Sequence, residues 1–286
     1  MRQLLLAVLL AVRLHAQGFM PGGGGSSGYA TPDVLNNESF EGCSWHSFTN
    51  SAPPNPPSPS TPNGDGFSVN TSTDRAYQGA CSAKVTFGAN PDGDQAASLV
   101  YSFSNDTGYT IYARMYFYFT AIPNNLAHKW WRFQEAGFSP LGGTFITSSV
   151  DGGAVTWYDP DGCSGCTAID IGTGVIPTGA WHSLEMEYDR SLYATLGNRV
   201  RFWYDGNVII GTNSGSPNYG TGGAQAFWGN ASGTPSGSGP WLYTGHAGTN
   251  IKIAAMDWDD TFNQGGTNSG SIYYDWIAVS SQRIGP

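Results

Sequence analysis

Three carboxylates alternate with apolar residues in the segment WHSLEMEYDR, residues 181–190. Glu185, Glu187 and Asp189 are two apart, so a β-strand places all three on one face. Side chains at this spacing lie roughly 6.5–7 Å apart, and carboxyl pairs about 6.5–9.5 Å apart suit inverting glycosidases. We therefore predict Glu185 and Glu187 as a hydrolytic pair. The alternative is an exposed acidic face, which is favoured for Asp189 because it borders the turn.

A second set of residues suits β-elimination. Arg114 and Tyr116 lie in YTIYARMYFYF, and Arg132 and Gln134 lie in HKWWRFQEAG. A polysaccharide lyase neutralises a uronate carboxylate, removes the proton beside it and protonates the leaving oxygen. We predict that Arg114 or Arg132 holds the carboxylate, that Gln134 assists, and that Tyr116 carries the proton. The set forms one site if the strands are neighbours, and Glu185 then binds hydroxyls or acts as the acid of a hydrolase.

Further rings and polar groups are predicted to contact a sugar chain, because aromatic faces stack on pyranose rings. The predicted substrate-binding residues are Tyr112, Tyr118, Trp130, Arg201, Trp203 and His246. The register of the segment 129–136 stays open, because a slip of one residue exchanges its two faces. One register projects Trp130, Arg132 and Gln134, and the other projects Lys129, Trp131 and Glu135.

Short alternating runs separated by Gly, Pro, Asn and Asp predict an all-β protein. The chain has 40 glycines, 14% aromatic residues and only 12% charged residues. We predict a single antiparallel β-sandwich with a hairpin turn at Asp205-Gly206. Its strands are predicted at 38–45, 76–87, 97–103, 109–120, 129–136, 143–149, 154–158, 181–189, 199–204, 207–212, 250–258 and 271–281.

The first residues predict export. Residues 1–16 have the charged start, short apolar run and small final residue of a signal peptide. A flexible Gly/Ser-rich leader follows over 17–35, and one domain is expected over 36–286. The Pro-rich stretch 51–66 is interpreted as a long surface loop of that domain. The expected location is therefore secreted, extracellular or periplasmic.

Acidic residues outnumber basic ones, 21 to 12, for a formal net charge of −9. Nucleic acids and anionic membranes are bound through clustered Lys and Arg, so this balance argues against both partners. No later stretch reaches the roughly 18 apolar residues that a membrane-spanning helix needs. A polysaccharide is the expected partner, and the oligomeric state stays open.

Four cysteines in an exported chain favour disulfides. Cys163 and Cys166 are close enough to close one small loop, which leaves Cys43 with Cys81. A redox Cys-x-x-Cys motif and a zinc site are less favoured, because no helix start and no further ligands are nearby.

Several segments together resemble the concanavalin A-like lectin/glucanase superfamily, and more narrowly its polysaccharide-lyase-like and laminin-G-like jelly rolls. They are GAWHSLEMEYDR, NRVRFWYDGNVI, NESFEG near the start and SIYYDWIAVSSQRIGP at the end. The resemblance implies two packed antiparallel sheets, with a groove for a sugar chain on the concave one. The order Glu-Met-Glu-Tyr-Asp departs from the glucanase motif of that superfamily, in which both catalytic residues are glutamates.

The same resemblance implies a structural calcium ion and no organic cofactor. Glu41 in SFEG and Asp275 in YYDWI match the positions that hold calcium in laminarinase-like relatives, together with backbone carbonyls. The acidic segment 256–263 lacks the spacing of a calcium-binding loop and is interpreted as a solvated turn.

The expected function is therefore binding and cleavage of a polysaccharide, with a lyase as the first hypothesis. The alternatives are a glycoside hydrolase that uses Glu185 and Glu187, and a non-catalytic carbohydrate-binding or adhesion module. The fold decides between none of them.

Overall fold

The computed structural model describes residues 34–44, 68–87, 95–102, 110–122, 127–135, 140–146, 153–158, 169–189, 199–212, 227–230, 238–243, 253–263 and 268–285. Several predictions fall outside these residues. They concern the signal peptide 1–16, the leader up to residue 33, the loop 51–66, the Cys163–Cys166 pair and His246.

The described residues form eighteen strands and one short 3₁₀ helix, Glu41–Cys43. The strands are β1 (Val34–Glu38), β2 (Ser68–Ser72), β3 (Ser82–Phe87), β4 (Gln95–Ser102), β5 (Thr110–Phe119), β6 (Ala127–Glu135), β7 (Pro140–Ile146), β8 (Ala154–Tyr158), β9 (Ile169–Val175), β10 (Trp181–Asp189), β11 (Arg199–Tyr204), β12 (Asn207–Val208), β13 (Gly211–Thr212), β14 (Phe227–Gly229), β15 (Ser238–Gly239), β16 (Trp241–Tyr243), β17 (Ile253–Asn263) and β18 (Gly270–Ser280).

Two large sheets contain most of these strands. The ten-stranded sheet has the order β14-β16-β11-β10-β5-β18-β3-β2, with β1 beside β18 and β12 beside β11. The six-stranded sheet has the order β4-β17-β6-β7-β8-β9, and β13 and β15 form a small pair. Neighbouring strands are antiparallel. The predicted all-β antiparallel sandwich is therefore confirmed.

Alternation along the central strands separates a core face from an outer face. In β5 every second residue from Ile111 to Phe119 is fully buried in the hydrophobic core. Leu184, Met186 and Tyr188 of β10 belong to the same core, and Leu184 lies opposite Met115 in the β5–β10 register. The residues between them therefore lie on the outer face. In the described part of the chain, no helix is long and apolar enough to cross a membrane.

Sequence alternation predicts the long strands well. The predicted bounds 154–158, 181–189 and 199–204 match β8, β10 and β11, and the chain turns at Asp205-Gly206 as expected. The strand predicted over 38–45 is wrong beyond Glu38. Phe40, Gly42 and Cys43 have φ values of 56°, 73° and 55°, which a strand excludes. The residues 256–263, interpreted as a turn, are part of β17.

Candidate functional site

The three carboxylates of β10 lie on the outer face of the ten-stranded sheet and are nevertheless buried. Glu185, Glu187 and Asp189 are 3%, 5% and 4% exposed. Two of them have an arginine directly opposite on β11: Arg201 faces Glu187, and Arg199 faces Asp189. Arg201 donates from Nε and Nη2 to Glu187 Oε2 at 2.9 and 2.5 Å, and Arg199 donates from Nε to Asp189 Oδ2 at 2.8 Å. These carboxylates are paired ions rather than an exposed acidic face.

Tryptophan rings alternate with these arginines. The guanidinium of Arg199 lies 3.9 Å from the ring centroid of Trp241, and that of Arg201 lies 4.3 Å from the same ring. Arg201 also lies 4.6 Å from Trp203, and Arg283 lies 4.7 Å from Trp203. We call these five residues the Arg–Trp ladder. Arg201 and Trp203, predicted to bind substrate, are members of it, and Glu187 of the predicted hydrolytic pair is bound to it.

Glu185 binds the backbone of the segment Arg283–Gly285, which follows β18. The N–H of Ile284 donates to Glu185 Oε1 at 2.7 Å, and the N–H of Gly285 donates to Oε2 at 3.2 Å. Arg114, directly opposite Glu185 on β5, donates from Nη1 to the carbonyl oxygen of Gly285. Arg114 and Glu185 together therefore clamp the backbone of one short segment.

Arg114 is 8% exposed, and its Nε has no acceptor among the described residues. Burial lowers the pKa of Arg114, although the nearby Tyr116, Glu185 and Tyr77 counteract this effect. Burial also raises the pKa of Tyr116 to about 12, with a contribution from a hydrogen bond with Tyr77. The Tyr116 phenolate is therefore harder to form than that of an ordinary tyrosine, which does not favour the predicted role of proton carrier.

Arg132 and Gln134 lie in the other sheet. The neighbours of β5 are β10 and β18, whereas the neighbours of β6 are β7 and β17. The prediction that Arg114, Tyr116 and Glu185 share one surface with Arg132 and Gln134 is therefore wrong. The alternation along each strand gives the faces of that strand, but it does not say which strands are neighbours.

The register of the six-stranded sheet brings other residues beside Arg132. Arg132 pairs with Asp257 of β17 on one side and with Gly143 of β7 on the other. Gly143 in turn pairs with Tyr158 of β8. Directly paired residues occupy one row across a sheet, so these four form a row over β17, β6, β7 and β8. We call it the Arg132 row; Gln134 lies two residues along β6, opposite Ala255 of β17.

A β-bulge interrupts β6 beside this row. Lys129 pairs with Phe145 of β7, but Trp131 pairs with the next residue, Thr144. Trp130 is the extra residue, and the alternation restarts after it. Neither register considered from the sequence therefore runs through the whole strand. Sequence reasoning did not single out Tyr158 and Asp257, because only the pairing of strands distant in sequence places them in one row with Arg132.

The predicted calcium ligands Glu41 and Asp275 lie near each other, and Asp275 is at the irregular pairing of β18 with β5. Asp275 is fully buried and accepts from the N–H groups of Tyr77 at 2.8 Å and Gln78 at 3.2 Å on Oδ2. Oδ1 accepts from the N–H of Trp276 at 2.8 Å. Glu41 accepts from the N–H of Ala80 at 3.2 Å. The described residues contain no group of three or more His, Cys, Asp or Glu side chains placed to hold a metal.

Burial raises the pKa of Asp275 to about 7, and the charge of Glu41 adds to this rise against three stabilising N–H bonds. The turn that carries Glu41 is held by the predicted disulfide Cys43–Cys81, which is confirmed. The two carboxylates are therefore fixed close enough to repel each other when both are ionised.

No known protein family matches the chain, and no curated protein matches it in sequence. Solved structures do match. The endo-β-1,4-glucuronan lyase of the fungus Trichoderma reesei has a TM-score of 0.55 and 11% identity, covering 87% of this chain and 96% of the lyase. The cellulose-induced protein Cip1 has a TM-score of 0.49 and 14% identity, covering 88% of this chain and 99% of Cip1. An alginate lyase has a TM-score of 0.44 and 10% identity, covering 88% of this chain and 98% of that lyase.

The chain has a concanavalin A-like jelly-roll fold. The predicted superfamily resemblance is thereby confirmed at the level of fold. Identities of 10–14% carry no residue roles across, so the function has to be argued from the side chains and strand register of this chain.

Replacing Glu185 by Ala is expected to release the segment Arg283–Gly285. Two backbone N–H groups lose their acceptor and Arg114 loses a neighbouring negative charge, so the free energy of unfolding should fall by about 1–3 kcal/mol. Hydrogen exchange of the Ile284 and Gly285 amides should accelerate, as measured by mass spectrometry, while Asp74→Asn at an exposed site leaves both amides protected. Unchanged exchange in Glu185→Ala would show that the clamp contributes nothing.

Asp275 is expected to make stability depend on pH. The unfolded chain releases this proton near the ordinary value of 3.8, whereas the folded protein keeps it until about pH 7. The stabilisation is complete below pH 3.8 and is lost as pH rises through 7. The free energy of unfolding, measured with urea across this range, should fall more steeply with pH in the native protein than in Asp275→Asn. Parallel curves would contradict the raised pKa.

Proposed function

We propose that this protein is a polysaccharide lyase whose site lies on the six-stranded sheet around the Arg132 row. The observation that carries the proposal is the register that sets Arg132 in one row with Asp257, Gly143 and Tyr158. Gln134 lies two residues from Arg132 along the same strand. The row combines a guanidinium, a phenol and a carboxylate, and Gly143, which has no side chain, separates Arg132 from Tyr158.

These residue types match the steps of β-elimination. Arg132, assisted by Gln134, would neutralise the carboxylate of a uronate residue and thereby acidify the proton on the adjacent carbon. Tyr158 would take that proton as its phenolate and return a proton to the glycosidic oxygen as the C–O bond breaks and the C=C bond forms. Asp257, paired with Arg132, would orient the guanidinium.

The shared fold is consistent with this proposal. The solved structure with a TM-score of 0.55 is, by its own description, an endo-β-1,4-glucuronan lyase. One fold hosts many reactions, so the likeness only makes an acidic polysaccharide a reasonable first substrate to test. Secretion is part of the proposal, and the Cys43–Cys81 disulfide supports it because disulfides persist in oxidising compartments.

The hydrolytic pair has less support on the outer face of the ten-stranded sheet. Glu187 is bound by Arg201, and Glu185 is bound by the N–H groups of Ile284 and Gly285. Water-mediated hydrolysis needs a carboxylate that is free to exchange a proton at a sugar oxygen. In the part of the chain that the structure describes, these donors hold both carboxylates, so neither has this freedom.

The lyase proposal predicts cleavage of a polyuronate by elimination. Incubation with glucuronan and alginate should raise the ultraviolet absorbance of the unsaturated uronate together with the number of reducing ends. Tyr158→Phe and Arg132→Ala should each lower kcat/KM by about 10²–10⁴-fold, because proton transfer and charge neutralisation are lost.

The matched control is Tyr204→Phe in the ten-stranded sheet, where the hydroxyl has no hydrogen-bond partner among the described residues. Its activity should equal that of the native protein. Reducing ends without absorbance would indicate a hydrolase. Absence of both, with retardation in gels that contain polysaccharide, would indicate a binding module.

We also propose that Glu41 and Asp275 hold a structural calcium ion. Two hard carboxylate groups, one of them buried, suit this cation, and it would relieve their mutual repulsion. Because three N–H groups already occupy the Asp275 oxygens, backbone carbonyls and water would have to complete the ligand set.

Bound calcium should raise the urea midpoint most above about pH 7, where Asp275 is ionised. The measurement compares calcium with magnesium and with a chelator, in the native protein and in the double variant Glu41→Gln/Asp275→Asn. A midpoint that is the same under all three conditions, or a calcium effect retained by the double variant, would refute the site.

A further inference from the structure

A cluster of rings covers one part of the outer face of the ten-stranded sheet, away from the Arg132 row, which belongs to the other sheet. Its central members are Tyr116 and Tyr118 of β5, Trp181 of β10, and Tyr77 in the loop between β2 and β3. Arg75 of the same loop lies 4.4 Å from the ring centroid of Tyr118. We call these five residues the aromatic platform. Only Tyr118 of them was predicted to bind substrate, and Tyr116 was predicted to be catalytic.

The rings of the platform are stacked on one another. Tyr77 lies flat on Tyr116, with ring centroids 3.7 Å apart and an interplanar angle of 13°. The ring centroid of Trp181 lies 6.0 Å from that of Tyr77, with an interplanar angle of 66°, and 5.7 Å from that of Tyr118, with an angle of 59°. Tyr77 is 43% exposed, although one face of its ring is covered by Tyr116. Trp181 is partly exposed.

The platform is held in place before any ligand arrives. The backbone N–H of Tyr77 donates to the buried carboxylate of Asp275 at 2.8 Å, which fixes the loop. Trp181 lies opposite Tyr118, and Tyr118 lies opposite Tyr273 in the register of β10, β5 and β18. Rings fixed in this way lose little conformational entropy on binding, which favours affinity.

We propose that the aromatic platform is a second polysaccharide-binding surface, separate from the cleavage site proposed on the six-stranded sheet. The ring face of Tyr77 opposite Tyr116 would stack on a pyranose ring, and Trp181 would contact the neighbouring sugar. Arg75 would donate hydrogen bonds to hydroxyl or carboxylate groups of the sugar.

The exposed area and the charge both favour a sugar chain as the ligand. Among the described residues, the large apolar side chains that are clearly exposed are Tyr77, Val175, Val208 and Ile210, and only Tyr77 belongs to the platform. A stable protein interface needs about 800 Å² on each partner, whereas a single ring face can hold a sugar. Beside the platform, Lys84 is paired with Asp74, whereas Arg75 lies over the ring of Tyr118 and is an exposed residue whose guanidinium would contact the ligand.

Native gels that contain a soluble polysaccharide test this proposal with the full chain. The series should include neutral β-1,4-glucans and xylans together with glucuronan and alginate. At least one gel should slow the native protein. Tyr77→Ala and Trp181→Ala should each raise Kd about tenfold, about 1.4 kcal/mol. Tyr77→Phe should retain most of the binding, because it keeps the ring.

Val208→Ala, at a residue that is 43% exposed outside the platform, is the control and should migrate as the native protein does. Circular dichroism and urea midpoints show whether each variant is folded. The platform is refuted if no gel slows the native protein, if Tyr77→Ala and Trp181→Ala migrate unchanged, or if Tyr77→Phe loses as much binding as Tyr77→Ala.

The gel retardation test of the platform is independent of the test for lyase activity. Retardation that depends on Tyr77 in a protein without lyase activity would leave the platform standing and refute only the cleavage proposal. An active lyase whose retardation ignores Tyr77 and Trp181 would refute only the platform.

Discussion

Compensation of buried charge on the outer face of the ten-stranded sheet is the constraint on which the rest of this structure depends. An ionised carboxylate removed from water is strongly destabilising unless a cation or hydrogen-bond donors replace the water. Glu187 and Asp189 are compensated by arginines of the adjacent strand, and Glu185 by backbone N–H groups from a segment almost one hundred residues later. The register of β10 with β11 and the path of the chain after β18 are therefore fixed by the same requirement.

The same requirement explains why many polar side chains of the ten-stranded sheet have a structural role. Arginine, glutamate and tryptophan side chains in the ten-stranded sheet resemble a catalytic surface in sequence, but the structure commits most of them to one another. Trp203 and Trp241 lie between guanidinium groups, and cation–π contacts of this kind stabilise both partners. The proposed elimination chemistry instead belongs to the six-stranded sheet. In the ten-stranded sheet, the aromatic platform retains an exposed ring, that of Tyr77.

Local alternation was enough to predict most of the fold. The period of two in β5 and β10 gave both the strands and their buried faces, and Asp205-Gly206 gave the hairpin. The pair Cys43–Cys81 followed from the spacing of the four cysteines. The strands β2, β9, β14 and β16 were missed. Of these, β9 contains two glycines with positive φ, Gly172 and Gly174, which weaken the alternating pattern.

The candidate site could be predicted only in part, because its composition depends on contacts between distant segments. Arg132 and Gln134 were found from their residue types, whereas Tyr158 and Asp257 required the pairing of β6 with β7 and β17 and of β7 with β8. The bulge at Trp130 has no signal in the sequence pattern, yet it decides which residues share a face. For the same reason, nothing local in the sequence indicated that Glu185 binds the backbone after β18.

The position of β18 has a consequence for how the protein folds. This strand pairs with β5 on one side and with β3 and β1 on the other, so it joins strands from the first half of the chain that would otherwise not meet. The whole six-stranded sheet except β4 lies between β5 and β18 in sequence. Contacts of such long range make folding slow, because the chain must close very large loops before they form. Before residues 270–280 pair, one edge of β5 and one edge of β3 have no partner strand, and unpaired strand edges of this kind favour aggregation.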